Sequence, residues 1–537
     1  MVMEQPEIEA LIAGFASAAG TAAAAGLDGV EINAGQHSLL RQFHSGLTNL
    51  RDDPYGADRL LLTEQVLRAA RSALGPDLVL GVRLCCDELA PWAGVTPEVA
   101  AEQAARLARL ADYLVVVRGS IFSVSATRPD LHAEPGFNTG LCRQIRTAVS
   151  GNAAVVLQGS VVDPEEADRV LCDGVADLVE MTRAQIADPD LVAHCRDGHP
   201  GRIRPCLLCN QMCAARDARN PVVSCVLEPR SGHEMTDPDP VAGGQPGGRA
   251  LVVGGGPAGL EAARVLALRG QQVSLAERCG RLGGMLAVAA LVHGRSRLGT
   301  VLDWWQRELD RLGVSVELGT EISAADLDAA AADGTQVLLA TGSAPGPRRY
   351  RITADAHVVE AADLVELVHA GGLPALPPGP ALVFDPVGGP VGVGVAELLA
   401  AAGRPTSIVT QDQVAGTQLA RTGDLADANT RLLRAGVRRE LRSLLREAAA
   451  DHAVLEDVWT GERRAVECAL VVHCGHRLPE QTLYLSRPGT PRAGDCVAPR
   501  TVHEAVLEAR RVAMAIDAAP VRPLVTAGQR TLAGSGR

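Results

Sequence analysis

The chain contains no lysine, and all 51 basic residues among its 537 are arginine. Without that amine there is no Schiff-base catalysis, no pyridoxal phosphate attachment and no P-loop lysine, so those classes of chemistry are closed. Aromatic residues make up only 2% of the chain, which gives no argument for a bulky stacked substrate. A run of about eighteen apolar residues, the least a membrane span needs, is missing too. The Ala-rich run 15–26 lacks the cationic leader and cleavage site of a signal peptide. A net charge of −12 opposes wholesale nucleic-acid binding, which calls for a basic face. The chain is expected to be cytoplasmic, with neither nucleic acid nor membrane as partner, and reduced thiols there favour metal ligation over disulfides.

Cysteine is plentiful, and four of the 13 stand together: Pro205-Cys206-Leu207-Leu208-Cys209-Asn210-Gln211-Met212-Cys213, then Cys225. Soft sulfur ligands at such spacing favour an iron–sulfur cluster or zinc. Structural zinc usually takes two separated pairs of ligands, whereas here three thiolates share one compact turn and the fourth arrives alone. That shape suits a [4Fe–4S] cube best, with zinc, and then a chance group of buried thiols, as the alternatives. The other cysteines, among them Cys85, Cys86, Cys142, Cys279 and Cys468, lack ligand spacing and read as buried free thiols.

The length suggests about three or four domains. Over residues 1–200 short apolar strands at 27–32, 78–84, 113–117, 154–158 and 177–181 alternate with helical patterns such as 4–19, 58–74 and 97–111. This βα repetition suits a (β/α) barrel, although five strands are visible where a closed barrel has eight. The cysteines occupy 201–236, a Pro/Gly-rich linker covers 237–248, and a new domain begins at Arg249.

That domain opens as strand 249–253, turn Gly254-Gly255-Gly256-Pro257-Ala258-Gly259, helix 260–269 and strand 272–277 ending on Glu277. Gly254 allows the tight bend, Gly256 lets the backbone approach a pyrophosphate, Gly259 permits close helix–strand packing, and Glu277 stands where a carboxylate accepts ribose hydroxyls. An ADP-moiety site is expected, against the bland alternative of a glycine-rich turn in another α/β fold. A second Rossmann-like half is expected over 371–475, where strand 381–385 precedes Gly388, Gly389, Gly392 and Gly394 and a helix over 395–402. Asp385 and Pro386 stand there in place of the first glycine. Gly342, after Ala340-Thr341, and Gly494-Asp495 look like the returns of a two-dinucleotide-domain flavoprotein. The first nucleotide domain would then comprise 249–370 and 476–520, before a flexible tail at 521–537.

In this order the motifs resemble the multidomain branch of the Old Yellow Enzyme family, which includes 2,4-dienoyl-CoA reductase, trimethylamine dehydrogenase and related enoate reductases. The resemblance is sharpest from Asp28-Gly29-Val30-Glu31-Ile32-Asn33 into Gln42-Phe43-His44-Ser45-Gly46-Leu47-Thr48-Asn49-Leu50-Arg51-Asp52-Asp53-Pro54-Tyr55-Gly56, in the cysteine run, and over 252–259 with Leu282-Gly283-Gly284. It implies an α/β architecture of a partial TIM barrel, a [4Fe–4S] segment and FAD/NAD(P)-type Rossmann-like domains. It further implies FMN in the barrel, the cluster on Cys206, Cys209, Cys213 and Cys225, and FAD, or ADP alone, at Gly254, Gly256, Gly259, Glu277, Arg278, Gly284, Gly342, Gly494 and Asp495. Arg83 matches the arginine that contacts the flavin ring, and Gly159 and Arg183 match positions around its phosphate.

Relatives carry His-x-x-His, His-x-x-Asn or a tyrosine after the first of these strands, where this chain has Asn33, Gln36, His37 and Ser38. Asn33 and Gln36 can hydrogen-bond a carbonyl oxygen, and His37 or His132 can supply a proton. Relatives also place the first barrel strands ahead of Asp28, where this chain has 27 residues. That implies a late start codon, a split gene or a degenerate subunit, with open sheet edges and an uncovered core that a partner or a second copy would cover. The activity implied first is reductase chemistry, with electrons passing from NAD(P)H through FAD and the cluster to FMN and an activated double bond of an enoyl or dienoyl thioester or an enone. The alternatives are an amine dehydrogenase that donates electrons to a carrier flavoprotein, and a non-catalytic electron-transfer subunit without FMN.

Overall fold

The computed structural model describes residues 3–214, 222–242, 244 and 247–516. The expected tail and parts of the expected cysteine segment and linker lie outside them. The chain divides into two units, both discontinuous in sequence. One takes the chain up to Asp237 together with Met285–Arg307 and Ala344–Arg477, and the other takes Pro238–Gly284, Glu308–Ser343 and the chain from Leu478 onward.

In the first unit, strands β1 (Gly29–Ala34), β2 (Val79–Asp87), β3 (Tyr113–Arg118), β4 (Ala154–Leu157) and β5 (Leu178–Val179) form one parallel sheet in chain order. The five strands stand where the alternating pattern predicts them, with shifted ends. β2 runs on through Cys85 and Cys86 to Asp87, because a bulge between Cys85 and Asp87 keeps it paired with β3. Side chains alternate between faces. Leu80, Val82, Leu84, Leu114, Val116 and Leu157 are fully buried against helices such as Leu61–Leu74, each contributing about 2 kcal/mol of burial. The opposite face, the lumen side, carries Glu31, Asn33, Arg83, Tyr113 and a small cluster of Cys85, Val115, Val117 and Val156.

β1 and β5 stand at the two edges of this sheet. Helix Gln5–Ala24, started by a Glu4/Glu7 capping box and an early proline, packs on Leu61–Leu74 and buries Ile8 completely. The long motif after β1 folds into a brace. Asn49 donates to the carbonyls of Phe43 and Tyr55 at 2.8 Å each, Asp53 caps the amides of Tyr55 and Gly56, and Phe43 meets Tyr55 edge-on at 6.2 Å. A Cβ on Gly56 would lie 1.9 Å from the Arg51 carbonyl oxygen, so only glycine fits. Arg41 and Glu88, both buried, pair across the segments that follow β1 and β2.

The same unit holds a second parallel sheet in the order Val358–Glu360, Leu470–His473, Ala381–Phe384, Thr406–Val409, Arg438–Glu440. Helix Pro390–Ala401 begins five residues ahead of the predicted 395, because Gly389 caps it and Pro390 is preset for a first turn. The second unit is built on the parallel sheet β8 (Ser315–Leu318), β7 (Gln272–Glu277), β6 (Arg249–Val253), β9 (Gln336–Leu339), in that spatial order. No helix among the described residues is long and apolar enough to cross a membrane.

Candidate functional site

Leu208 and Asn210 both take left-handed backbone, at φ 53° and 50°, so the cysteine loop reverses sharply within a few residues. Cys206, Cys209 and Cys213 thereby line a single cavity with Cys225, Arg183 and Asn210. The amides of Leu208 and Leu227 reach the sulfurs of Cys206 and Cys225 at 3.5 Å each. Burial pushes the Cys206 thiol up to about 11 and raises Cys209 and Cys225 as well. Such thiols ionise when a metal replaces their protons. Tetrahedral zinc, at 2.3 Å from each sulfur, would hold the sulfurs about 3.8 Å apart. Among the described residues, the side-chain groups whose ligand atoms close to within 4.8 Å include none of these cysteines. Four soft sulfur donors on one cavity suit an iron–sulfur cluster or zinc. Arg297 anchors the loop by donating to the Cys206 carbonyl at 2.8 Å while held by Asp163 at 2.9 and 3.0 Å. Arg204 pairs with Glu228 and lies 4.9 Å from the Trp304 ring centroid.

In the second unit, Gly254 turns with φ 110° after β6, and Gly256 caps helix Pro257–Leu268. A Cβ on Gly259 would lie 1.8 Å from the Gly254 carbonyl oxygen, whereas a Cβ on Gly256 would meet nothing within 4 Å. The helix N-terminus is thus tightly packed behind and open in front, the arrangement a pyrophosphate needs. Glu277 accepts from the amides of Gly255 at 2.6 Å and Cys279 at 2.7 Å, which fixes its carboxylate beside the turn. Gly284 approaches Gly256, and Arg278 is exposed beside Glu277. Gly342 and Gly494 turn at φ 78° and 80°, and Asp495 accepts from Ser343 at 3.0 Å. An ADP moiety fits this cradle.

On the lumen side of the barrel sheet, Arg83 is gripped by Glu31 at 2.7 Å and Glu180 at 2.8 Å. Tyr113, whose ring covers Gly81, reaches Glu31 at 3.2 Å. Glu180, at the end of β5, escaped the sequence reading, although the carboxyl ends of barrel strands are where functional side chains gather. Gly159 accepts from the Gly136 amide at 2.7 Å, and Ser160 beside it is left-handed at φ 59°. Arg183 donates to Ser160, to the Pro129 carbonyl at 2.9 Å and to Asn210 at 2.7 Å. For a flavin the positive charges suit a phosphate and a reduced ring, but Arg83 would have to exchange a carboxylate for it. The fit there is partial.

Asn33 accepts from the Gly35 amide at 2.9 Å, and Gln36 donates to the carbonyls of Arg118 at 3.0 Å and Thr127 at 3.3 Å, so both brace the turn after β1. Burial, then the guanidiniums of Arg41 and Arg128, hold His37 below the usual imidazole range. It is neutral at physiological pH and a weaker base than a free imidazole. His132 binds the Asp130 carboxylate at 3.0 and 3.1 Å and lies 3.7 Å from Asp424, whose helix belongs to the second Rossmann-like half. These contacts give His132 a role in joining segments of the first unit.

In that second half, the space after the strand is filled by the protein itself. The fully buried Asp385 carboxylate accepts from the amides of Val387 at 3.1 Å and Gly388 at 2.9 Å, and Gly392 packs directly on its side chain. Burial raises Asp385 to about 6, the hydrogen bonds only partly opposing it and Asp412 adding to it. Where Gly256 leaves room for a ligand's phosphates, Asp385 consumes the amides.

The description "NADH:flavin oxidoreductase / NADH oxidase family" matches residues 1–201, and "pyridine nucleotide-disulphide oxidoreductase" matches residues 249–495. An N,N-dimethylglycine/sarcosine dehydrogenase of Chromohalobacter salexigens is 31% identical over 95% of this chain and 79% of its own length. A metal reductase of Desulforamulus reducens is 32% identical over 75% of this chain and 59% of its own. Among solved structures, histamine dehydrogenase from Rhizobium sp. 4-9 superposes with a TM-score of 0.86 at 26% identity, covering 97% of this chain and 78% of that one.

Proposed function

The chain belongs to the multidomain NADH:flavin oxidoreductase family, the branch that resembles Old Yellow Enzyme, and from that membership we propose that it oxidises a small amine and passes the electrons to a carrier protein. The family makes it a flavin-dependent oxidoreductase. The proposed cofactors are a [4Fe–4S] cluster on Cys206, Cys209, Cys213 and Cys225, FAD or ADP at Gly254, Gly256, Gly259 and Glu277, and FMN near Arg83, Gly159 and Arg183. When bound, flavin supplies two-electron oxidation and an iron–sulfur cluster supplies single-electron relay.

The direction rests on Asp385. Its carboxylate already accepts the amides that would cradle a nicotinamide dinucleotide's pyrophosphate, and a buried anion repels another anion in low dielectric. Electrons then enter from the substrate instead. The likeness to dehydrogenases of dimethylglycine, sarcosine and histamine supports the amine class.

A second reading, reduction of an activated double bond with NAD(P)H, is favoured by the pyridine nucleotide-disulphide oxidoreductase match, which spans both nucleotide-type segments. Anaerobic mixing separates the two. Dimethylglycine or sarcosine should bleach the flavin while NADH and NADPH leave it oxidised; rapid bleaching by either nucleotide, followed by reoxidation with an enone, would establish the second reading.

A further inference from the structure

The loop 119–138, between β3 and helix Thr139–Val149, is fastened to several other parts of its unit. Its Arg128 carbonyl accepts from Asn210 of the cysteine run at 2.8 Å, and its Pro129 carbonyl accepts from Arg183 at 2.9 Å. It also meets the second Rossmann-like half, through Ser125, 3.4 Å from Asp427, and above all through His132. The Nδ1 of that ring lies 3.0 Å from Asp130 on the same loop and 3.7 Å from Asp424, the residue ahead of helix Leu425–Arg434. The other nitrogen, Nε2, is buried with no hydrogen-bond partner among the described residues. A Cβ on Gly294 would meet that edge of the ring, 3.2 Å from Cδ2.

Water is largely kept from these groups, the side chains of His132, Asp130 and Asp424 being 11%, 14% and 3% exposed. Arg431 donates to both oxygens of Asp424, at 2.8 and 2.9 Å, and to Glu397 at 2.7 Å. Arg295, buried next to Gly294 in the chain, is within electrostatic reach of Glu397, Asp424, Arg431 and Asp130. The carboxylates of Asp130, Asp424 and Glu397 thus face the guanidiniums of Arg295 and Arg431, and one negative charge is left over while His132 is neutral. A proton on His132 brings the cluster to zero, and charge left unbalanced away from water is costly. Burial acts to raise Asp130, yet the hydrogen bond and charge of His132 hold it below the usual carboxylate range. A metal ion is a poorer occupant than a proton here, because Asp424 has both oxygens engaged by Arg431 and a divalent cation would add to two guanidiniums already present.

We propose that His132 is a proton-operated latch, whose protonation fastens the loop 119–138 to the second Rossmann-like half and steadies the contacts of that loop with Asn210 and Arg183. The latch is independent of the direction of electron flow. A closed form that favours the imidazolium gains stability as pH falls through the ordinary imidazole range, from about 8 to about 5, where ordinary carboxylates stay ionised. A hydrogen bond from a charged donor is roughly twice as strong as a neutral one, so the loop should open about tenfold less often once His132 is charged. Hydrogen exchange of the full-length chain, read by mass spectrometry and corrected for the intrinsic rate at each pH, measures that opening. Peptides from 119–138 should be about tenfold better protected at pH 5.5 than at pH 8. His132→Gln keeps a donor for Asp130 but takes no charge, so this step should vanish. Asp130→Asn makes the cluster neutral with an uncharged His132, so the step should vanish or reverse. Equal protection of the unmodified loop at both pH values would overturn the proposal, as would an undiminished step in either variant. A step abolished by EDTA would also overturn it and assign the site to a metal ion.

Discussion

Replacing Asp385 by asparagine separates the two things its carboxylate does. Asparagine keeps an oxygen for the amides of Val387 and Gly388 and removes the ionisable group. In the folded chain burial holds Asp385 at about 6, against 3.8 for an ordinary aspartate. That gap corresponds to about 3 kcal/mol at 1.36 kcal/mol per pH unit. The sign follows from which state ionises first. As pH rises from about 4 to about 6, the unfolded chain loses this proton while the folded chain retains it, so the native state loses stability through that window and no more above it. The variant lacks this slope. Its stability relative to the parent should therefore rise by about 3 kcal/mol between pH 4 and pH 7, on top of a constant offset of about 1 kcal/mol for placing an amide NH2 where Oδ2 has no partner. Paired denaturant titrations across that range measure the difference, and contributions from other titrating groups cancel in it. A difference that stays flat with pH would refute the buried-anion argument. The same variant removes the repulsion toward a pyrophosphate, so NADH should bind about tenfold more tightly. Tight NADH binding in the parent, unaltered by the substitution, would show that Asp385 does not guard the cradle.

Three further outcomes are expected. Gly259→Ala should abolish retention of the ADP-containing cofactor and lower stability by 3 kcal/mol or more on the scale of about 1–3 kcal/mol for overpacking, because the new Cβ meets backbone that cannot yield; cofactor release and the thermal midpoint read both effects. Glu180→Gln should free Arg83 from one of its two carboxylates and increase FMN retained through purification, read by extraction and chromatography, whereas unchanged or reduced FMN would count against the partial fit at the barrel. Cys209→Ser should remove most of the iron and the visible charge-transfer absorption without unfolding the barrel sheet, since its strands draw on a separate core; circular dichroism beside an iron assay distinguishes loss of the cluster from loss of the fold.

Much of the architecture was legible because its signals are local. Short apolar runs set between helical patterns mark β1 to β4. The glycine turn after β6 declares itself because Gly254 and Gly259 must approach backbone that no side chain could tolerate, and four cysteines within a short segment meet however the rest of the chain runs. Misplaced ends, such as the early start of helix Pro390–Ala401, came from reading apolar periodicity where a glycine cap and proline set the boundary.

What tertiary structure alone decided is which charge answers which. The sequence supplied Arg83, Arg183, His37, His132 and Asp385 as candidates. Only folding brought Glu180, 97 residues away along the chain, onto Arg83, placed His132 against Asp424 rather than in the turn that holds His37, and left Arg183 facing the cysteines with neutral oxygens as partners. Backbone turns and sulfur spacing are set by neighbours in the chain, whereas the state of an ionisable group is set by burial and by charges several ångströms away in space. The flavin-type and nucleotide-type domains could therefore be read in order along the chain, while the charge state of their groups depends on partners that meet only after it has folded.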